Sequence, residues 1–149
     1  MAKKPFEENE KEIEVGLASA IRLLVERPRI VQATTTANWN SGVATSGNPG
    51  ADLWTYGAAN RWWRLNEAYL LLSAFNAAAT VTVRAYENLM GAEREVMNED
   101  WVVAVDPAVI YIVWFWEVQI FGTVRIEVFS DQAADDGLAA PYEYRVKRW

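Results

Sequence analysis

The residues of this chain that could carry chemistry are carboxylates, because the sequence contains no cysteine and no histidine. Without these residue types the chain cannot form a disulfide, a cysteine nucleophile, a serine–histidine triad or a histidine-ligated zinc site. Two groups of carboxylates remain. One is an acidic loop near the C-terminus, and the other is a set of glutamates on or near predicted strands.

The acidic loop contains Asp131, Asp135 and Asp136, whose oxygens are ligands of the kind that calcium prefers. Its spacing matches no EF-hand loop, however, and Asp135-Asp136-Gly137 is also ordinary turn chemistry. We therefore predict a solvated loop without a metal, with a calcium site as the alternative.

Among the glutamates, Glu117 stands out because it lies in an otherwise apolar run. Hydrolysis of a glycoside needs a second carboxylate across the bond to be cleaved, and nothing in the sequence singles one out. We expect Glu117 to face solvent at a strand end or to pair with Arg84 or Arg125. The sequence also lacks a phosphate-binding loop. We predict a protein that is not an enzyme and needs no cofactor.

Aromatic residues are the second notable feature, since eight of the 149 residues are tryptophan and 52% of the chain is hydrophobic. So many indoles must fill a core or be covered by a partner, because an exposed cluster promotes aggregation. Trp62 and Trp63 are adjacent, so both cannot face the core from one strand. An alternative is a sugar-stacking platform formed by Trp54, Trp62, Trp63, Trp114 and Trp116.

The elements that must position these residues are predominantly strands. Residues 108–130 are rich in β-branched and aromatic residues and predict two core strands that meet at a turn at Gly122. Residues 53–56 and 61–65 predict a hairpin around 57–60. About eight short strands separated by turns predict an all-β protein, an antiparallel β-sandwich of jelly-roll type.

Further strand signals are the alternation in 80–86, a turn at Met90-Gly91, a strand at 93–97 and another through Trp101, Val103 and Val105. Residues 64–79 fit either a strand or a helix, and we favour a strand. The last strand carries Tyr142, Tyr144 and Val146 on one face. Its basic end contains Arg145, Lys147, Arg148 and Trp149. This end fits two interpretations equally well, namely an edge strand whose charges prevent pairing with another strand, or a tail that binds an acidic neighbouring subunit.

The N-terminal region differs from the rest. Residues 5–27 predict a helix with a narrow apolar stripe, which Pro28 ends. The segment 32–50 is small and polar and predicts an extended linker. We therefore divide the chain into an N-terminal helical arm at 1–31, a linker at 32–50 and a β-sandwich domain at 51–149. Whether the helix packs on its own domain or on a neighbouring subunit stays open.

The net charge of −6 disfavours direct binding of nucleic acid, which requires a basic surface. The charged N-terminus has no apolar segment like that of a signal peptide, and no apolar run is long enough to span a membrane. We expect a soluble protein that is made in the cytoplasm and assembles with further copies. The candidate interface residues are Ile13, Leu17, Ile21, Leu24, Trp39, Trp62, Trp63 and Trp149.

Three stretches of the chain, ANWNSGVATSGNPGADLWTYGA, ATVTVRAYENLMGAEREV and VRIEVFSDQAADDGLAAPYEYRV, resemble small virion-associated β-sandwich proteins of tailed phages and prophages. The resemblance covers about residues 36–147 and rests on turn and strand patterns. It departs at the tryptophan-rich runs RWW and VWFW. It implies a structural role in a virion, such as capsid decoration, a head–tail component or a tail or fibre subunit. The implied partners are a major capsid or tail protein, and no catalytic residue is carried over.

Overall fold

The computed structural model of the protein describes residues 28–89, 91–112 and 118–148, and this part of the chain is all-β. Its seven strands are β1 (Arg29–Asn38), β2 (Ala51–Leu71), β3 (Thr80–Leu89), β4 (Ala92–Val102), β5 (Val109–Tyr111), β6 (Val118–Ser130) and β7 (Asp136–Arg148). Short 3₁₀ turns at Leu72–Ala74 and Ala133–Asp135 follow β2 and precede β7. The prediction of an all-β antiparallel fold is confirmed. A jelly-roll arrangement stays a prediction.

The strands form one sheet in the order β1-β7-β2-β6-β3-β4, and β5 pairs with β2 beside this path. Every pairing is antiparallel. The 21-residue strand β2 connects the two halves of the sheet. Its first part pairs with β6, and its last part pairs with β7 and β5.

The two halves pack on one shared core. Trp54, in the first part of β2, stacks on Tyr144 of β7 with ring centroids 4.5 Å apart. Alternation in β3 buries Val81 and Val83, as predicted, and the alternate residues of β7 bury Tyr144 and Val146. The largest fully buried apolar side chains are Trp39, Leu65, Leu70, Leu72, Ile110, Ile112, Ile126, Val81, Val83 and Val128.

Two glycines mark a break in register halfway along β2 and β6. The register passes from Gly57 opposite Thr123 directly to Trp62 opposite Phe121, so β2 has extra residues at this point. Gly57 and Gly122 both have a φ of 107°, a conformation that L side chains rarely adopt. A Cβ atom on Gly57 would lie 2.1 Å from the carbonyl oxygen of Gly122. Such a bulge bends both strands and increases their twist.

Both hairpins predicted around these glycines are therefore wrong. Residues 57–60 form a bulge within β2, and Gly122 lies inside the continuous strand β6. Glycine at positive φ is typical of a tight turn and of a bulge alike, so the local signal is the same. Trp101 likewise belongs to one strand with 93–97, because β4 continues to Val102 before the chain turns.

Other predictions have mixed outcomes. The strand favoured within 64–79 is confirmed as far as Leu71. The linker predicted at 32–50 is wrong for its first residues, since β1 extends to Asn38 and pairs with β7. The edge position suggested for the last strand is also wrong, because β7 lies between β1 and β2. The helix predicted at 5–27 lies outside the described residues, and the division at 1–31, 32–50 and 51–149 stays a prediction.

Replacement of Gly57 by alanine should destabilise the fold by about 3 kcal/mol or more, because backbone strain and steric overlap add. Gly47→Ala is the matched control, since Gly47 also has a positive φ of 85° but no heavy atom within 4 Å of a Cβ. It should cost about 1 kcal/mol. Urea unfolding followed by tryptophan fluorescence measures both. Equal losses in the two variants would contradict the role of the Gly57–Gly122 contact.

Candidate functional site

An exposed pair of aromatic side chains lies just beyond the bulge. Trp62 of β2 and Phe121 of β6 are directly opposite in the register, with ring centroids 4.9 Å apart. Trp62 is 51% exposed and Phe121 is 40% exposed. We call these two residues the aromatic pair. Cross-strand aromatic pairs stabilise a sheet, but the faces of this pair that point to water remain available for a partner.

Trp63 takes the opposite direction from Trp62, as the period of a strand predicts. It is partly buried against the core and packs on Tyr56 with ring centroids 5.0 Å apart in an edge-to-face arrangement. Of these two interface candidates, Trp62 thus presents the larger exposed surface, and Trp63 supports the core beside it.

Trp39 and Trp54 do not join a common surface with Trp62. Trp39 was predicted as an interface residue, but it is fully buried and its indole N–H donates to the carbonyl oxygen of Leu138 at 2.8 Å. It therefore belongs to the core, which corrects that prediction. Trp54 is also buried, so the predicted platform of tryptophans is not formed by Trp54 with Trp62. The remaining candidates lie outside the described residues, namely Trp114, Trp116, Trp149, Ile13, Leu17, Ile21 and Leu24.

A shallow groove of about 560 Å³ crosses β1, β7, β2 and β5 on the outer face of the sheet. Tyr69 lies along it, with its ring centroid 4.7 Å from that of exposed Tyr111. Arg145 also lines the groove and pairs with Glu67 at 2.9 Å and with Glu143 at 3.1 Å. The basic side chain suggested as a clip onto an acidic neighbour is thus paired within its own chain.

A charged network on the opposite part of the sheet escaped the sequence analysis. Arg125 is 4% exposed and binds both carboxylate oxygens of Glu93, at 2.6 and 2.9 Å, as well as Asp52 at 2.8 Å. It also pairs with Glu127, which is fully buried. We call Arg125, Asp52, Glu93 and Glu127 the Arg125 network. Its guanidinium lies 4.6 Å from the ring centroid of Tyr86.

The alternation of β6 places Arg125 and Glu127 on the face opposite the main core, where the sequence pattern suggests solvent. The chain covers this face instead. The backbone N–H and hydroxyl of Ser46 donate to Glu127 at 3.1 and 2.8 Å, and Glu93 approaches from β4. A buried charge is tolerated because it is paired and hydrogen-bonded. The signal in the sequence was a pair of opposite charges two residues apart on one strand face.

The acidic loop is built differently from the prediction of a solvated loop. Asp135 is fully buried and accepts hydrogen bonds from the backbone N–H of Asn76, at 2.8 Å, and from the hydroxyl of Ser130. Asp131 accepts from the backbone N–H of Thr80, and Asp136 from that of Asn40. Through these hydrogen bonds, the three carboxylates hold the segments around Asn40, Asn76 and Thr80 against the loop that precedes β7.

Within the described ranges no group of three or more acidic side chains could hold a metal ion, so the calcium alternative finds no support there. Glu117, considered above as a catalytic candidate, lies outside the described residues. The part of the chain that the structure describes also contains no helix with the length and apolarity needed to cross a membrane.

Neither a protein-family model nor a curated protein matches the sequence. Among solved structures, a chain from the T13 viral particle of IBDV is similar over 81% of this chain and 31% of its own length, with 13% identity and a TM-score of 0.41. A chain from the infectious bursal disease virus Gt strain is similar over 83% and 34%, with 10% identity and a TM-score of 0.34. This chain thus spans about a third of the length of either viral chain. Likeness at this level does not assign it a function.

Removal of the Arg125 guanidinium should destabilise the protein strongly. Arg125→Ala leaves the carboxylate of Glu127 buried without its cation, and breaking a buried ion pair in this way costs about 3–5 kcal/mol. Arg145→Ala is the control, because Arg145 also pairs with two carboxylates but its side chain is 40% exposed. An exposed pair contributes far less than a buried one, because water screens it. Chemical unfolding at pH 7 measures both, and similar losses would show that burial of the network is unimportant.

Acid should weaken the fold through carboxylates whose pKa is lowered. Burial raises the pKa of Asp52, but hydrogen bonds from Thr45 and Arg125 outweigh it, so its folded pKa lies below 3.8. A hydrogen bond from the Thr80 backbone likewise lowers the pKa of Asp131. The unfolded state then binds protons more readily than the folded state. The stabilisation is complete above the unfolded pKa and is lost as pH falls through the folded pKa.

The double variant Asp52→Asn with Asp131→Asn should therefore reduce the decrease in the free energy of unfolding between about pH 4 and pH 2. Glu87→Gln provides a control of opposite sign, because burial raises the pKa of Glu87 above 4.5. Protonation of Glu87 favours the folded state as the pH falls from its raised folded pKa to 4.5, so Glu87→Gln should remove that gain at a pH above the window of the two aspartates. Urea unfolding from pH 7 down to pH 2 checks both signs.

Proposed function

We propose that this chain is a non-enzymatic structural subunit of a viral particle that associates with further copies of itself through the aromatic pair. The observation that supports self-association most directly is the exposure of Trp62 and Phe121 side by side in two regular strands. Aromatic residues of this kind are enriched at the centres of protein interfaces, where they contribute a large share of the binding energy.

The surroundings of the aromatic pair suit a rigid contact surface. Both residues belong to strands that are paired on this stretch, and the bulge beside them is held by the close approach of Gly57 and Gly122. A surface whose backbone is already ordered loses little conformational entropy when it binds. The role requires no reactive side chain or cofactor, which accords with a sequence that lacks histidine and cysteine.

The more specific assignment rests on the sequence resemblance to virion-associated proteins of tailed phages and prophages. In this proposal the protein is part of the virion, as a capsid decoration, head–tail, tail or fibre subunit in contact with a major capsid or tail protein. In this proposal the arm at 1–31 supplies additional reach to neighbouring subunits.

Carbohydrate binding is the second candidate function. The observation that favours it is the groove with Tyr69, Tyr111 and Arg145, because tyrosine rings stack on sugar faces and paired polar groups bind hydroxyls. The groove replaces the platform of tryptophans as the place where a glycan would bind.

Self-association should weaken when the aromatic pair is made polar. Trp62→Ser should raise the dissociation constant of the assembly about 30-fold, which corresponds to about 2 kcal/mol for a central interface residue. Phe121→Ser should act in the same direction. Tyr111→Ser is the matched control, an aromatic side chain that is 56% exposed on β5, and it should leave assembly unchanged. Light scattering after gel filtration over a concentration series measures the mass.

A wild-type chain that stays monomeric at every soluble concentration contradicts self-association. If such a monomer also binds oligosaccharides in calorimetry, and Tyr111→Ser abolishes that binding, the second candidate is supported instead.

A further inference from the structure

The two end strands of the sheet differ sharply in charge. In the described part of the chain, β1 pairs with β7 alone and β4 pairs with β3 alone, so each has one side without a strand partner. β1 carries no charged residue from Ile30 to Asn38. β4, of similar length, carries five, namely Glu93, Arg94, Glu95, Glu99 and Asp100.

An edge strand presents a row of free backbone N–H and C=O groups to which another strand can pair. Charged side chains along an edge oppose such pairing, because they lose water when a second strand covers them. β4 is protected in this way, and β5 is protected by its length of three residues. β1 is ten residues long and has no charged side chain from Ile30 to Asn38, so it has neither of these protections. Its sequence RIVQATTTAN also contains the β-branched residues typical of strands.

We infer that β1 pairs in antiparallel orientation with β1 of a second copy of this chain, with a two-fold axis near Thr34 at the centre of the uncharged run. This inference rests on the self-association proposed above and names a second contact surface for it. The pairing continues the sheet across two subunits through backbone hydrogen bonds, and the aromatic pair stays free for a separate contact.

Charge and symmetry both favour β1 of the second copy over its β4. A contact of β1 with β4 is heterologous, so it closes only as a ring or grows into an open fibre. The charges on β4 oppose that growth. A contact of β1 with β1 is isologous and closes as a dimer. It places only uncharged residues opposite one another, with Thr34 facing its own copy, and pairs of threonines across strands are favourable.

Opposite charges introduced at Thr34 test the inference on the full-length protein. Thr34 is exposed, so a new charge there should leave the fold intact, which thermal unfolding verifies. Thr34→Lys and Thr34→Glu should each raise the dissociation constant of the β1 contact about fivefold, because like charges then face each other across the axis. An equimolar mixture of the two variants should restore association by pairing lysine with glutamate. Sedimentation velocity over a concentration series measures all three samples.

Val105→Lys and Val105→Glu are the matched controls, because Val105 is 80% exposed in the turn after β4. Neither control variant, nor their mixture, should change the dissociation constant. Association that is unchanged in both Thr34 variants overturns the β1 pairing and leaves self-association intact. If Thr34→Lys associates more strongly than the wild type and Thr34→Glu more weakly, the acidic strand β4 is the partner of β1. That result also overturns the pairing of β1 with β1. A wild-type chain that is monomeric throughout overturns both this inference and the self-association on which it rests.

Discussion

The close approach of Gly57 and Gly122 is the contact on which the rest of the sheet depends. β2 pairs with β6 on both sides of the bulge, as far as Leu65, and its last part pairs with β7 and β5, so one strand connects both halves of the sheet. The two backbones can meet there because Gly57 has no Cβ atom, which would overlap the carbonyl oxygen of Gly122, and because glycine tolerates the positive φ found at both positions. Trp54 in the first part of β2 stacks on Tyr144 of β7, so the two halves share one core.

The Arg125 network lies on the face of β2 and β6 that is opposite the main core. It connects β6 with β2 through Asp52 and with β4 through Glu93, while Glu127 holds the segment that contains Ser46. Three carboxylates around one guanidinium carry excess negative charge, which the hydrogen bonds from Ser46 and Thr45 help to disperse. Desolvation offsets much of the attraction within such a network, so its net stabilisation is smaller than the loss expected when one partner is removed.

The surfaces that remain open lie at two places, because the groove and the β1 edge share Gln32, Ala33 and Thr34. The aromatic pair lies beside the bulge, the uncharged edge lies along β1, and the groove with Tyr69 crosses the outer face between β1 and β5. A subunit with two independent contact surfaces can join neighbours in two directions, which a particle built from repeated copies requires. Trp39 and Trp54 are buried and stabilise the fold, whereas Trp62, Phe121 and Tyr111 are exposed.

The sequence by itself determined the all-β class, the alternation that buries Val81 and Val83, and the opposite directions of Trp62 and Trp63, whereas it left residues 64–79 open between a strand and a helix. These features depend on the two-residue period of a strand, which is local. Only the tertiary structure decided that Gly57 and Gly122 form a bulge rather than turns, and that Arg125, Glu127 and Asp135 are buried. A glycine at positive φ or a charged strand residue has the same local signature in either setting, and the outcome depends on which distant segment packs against it.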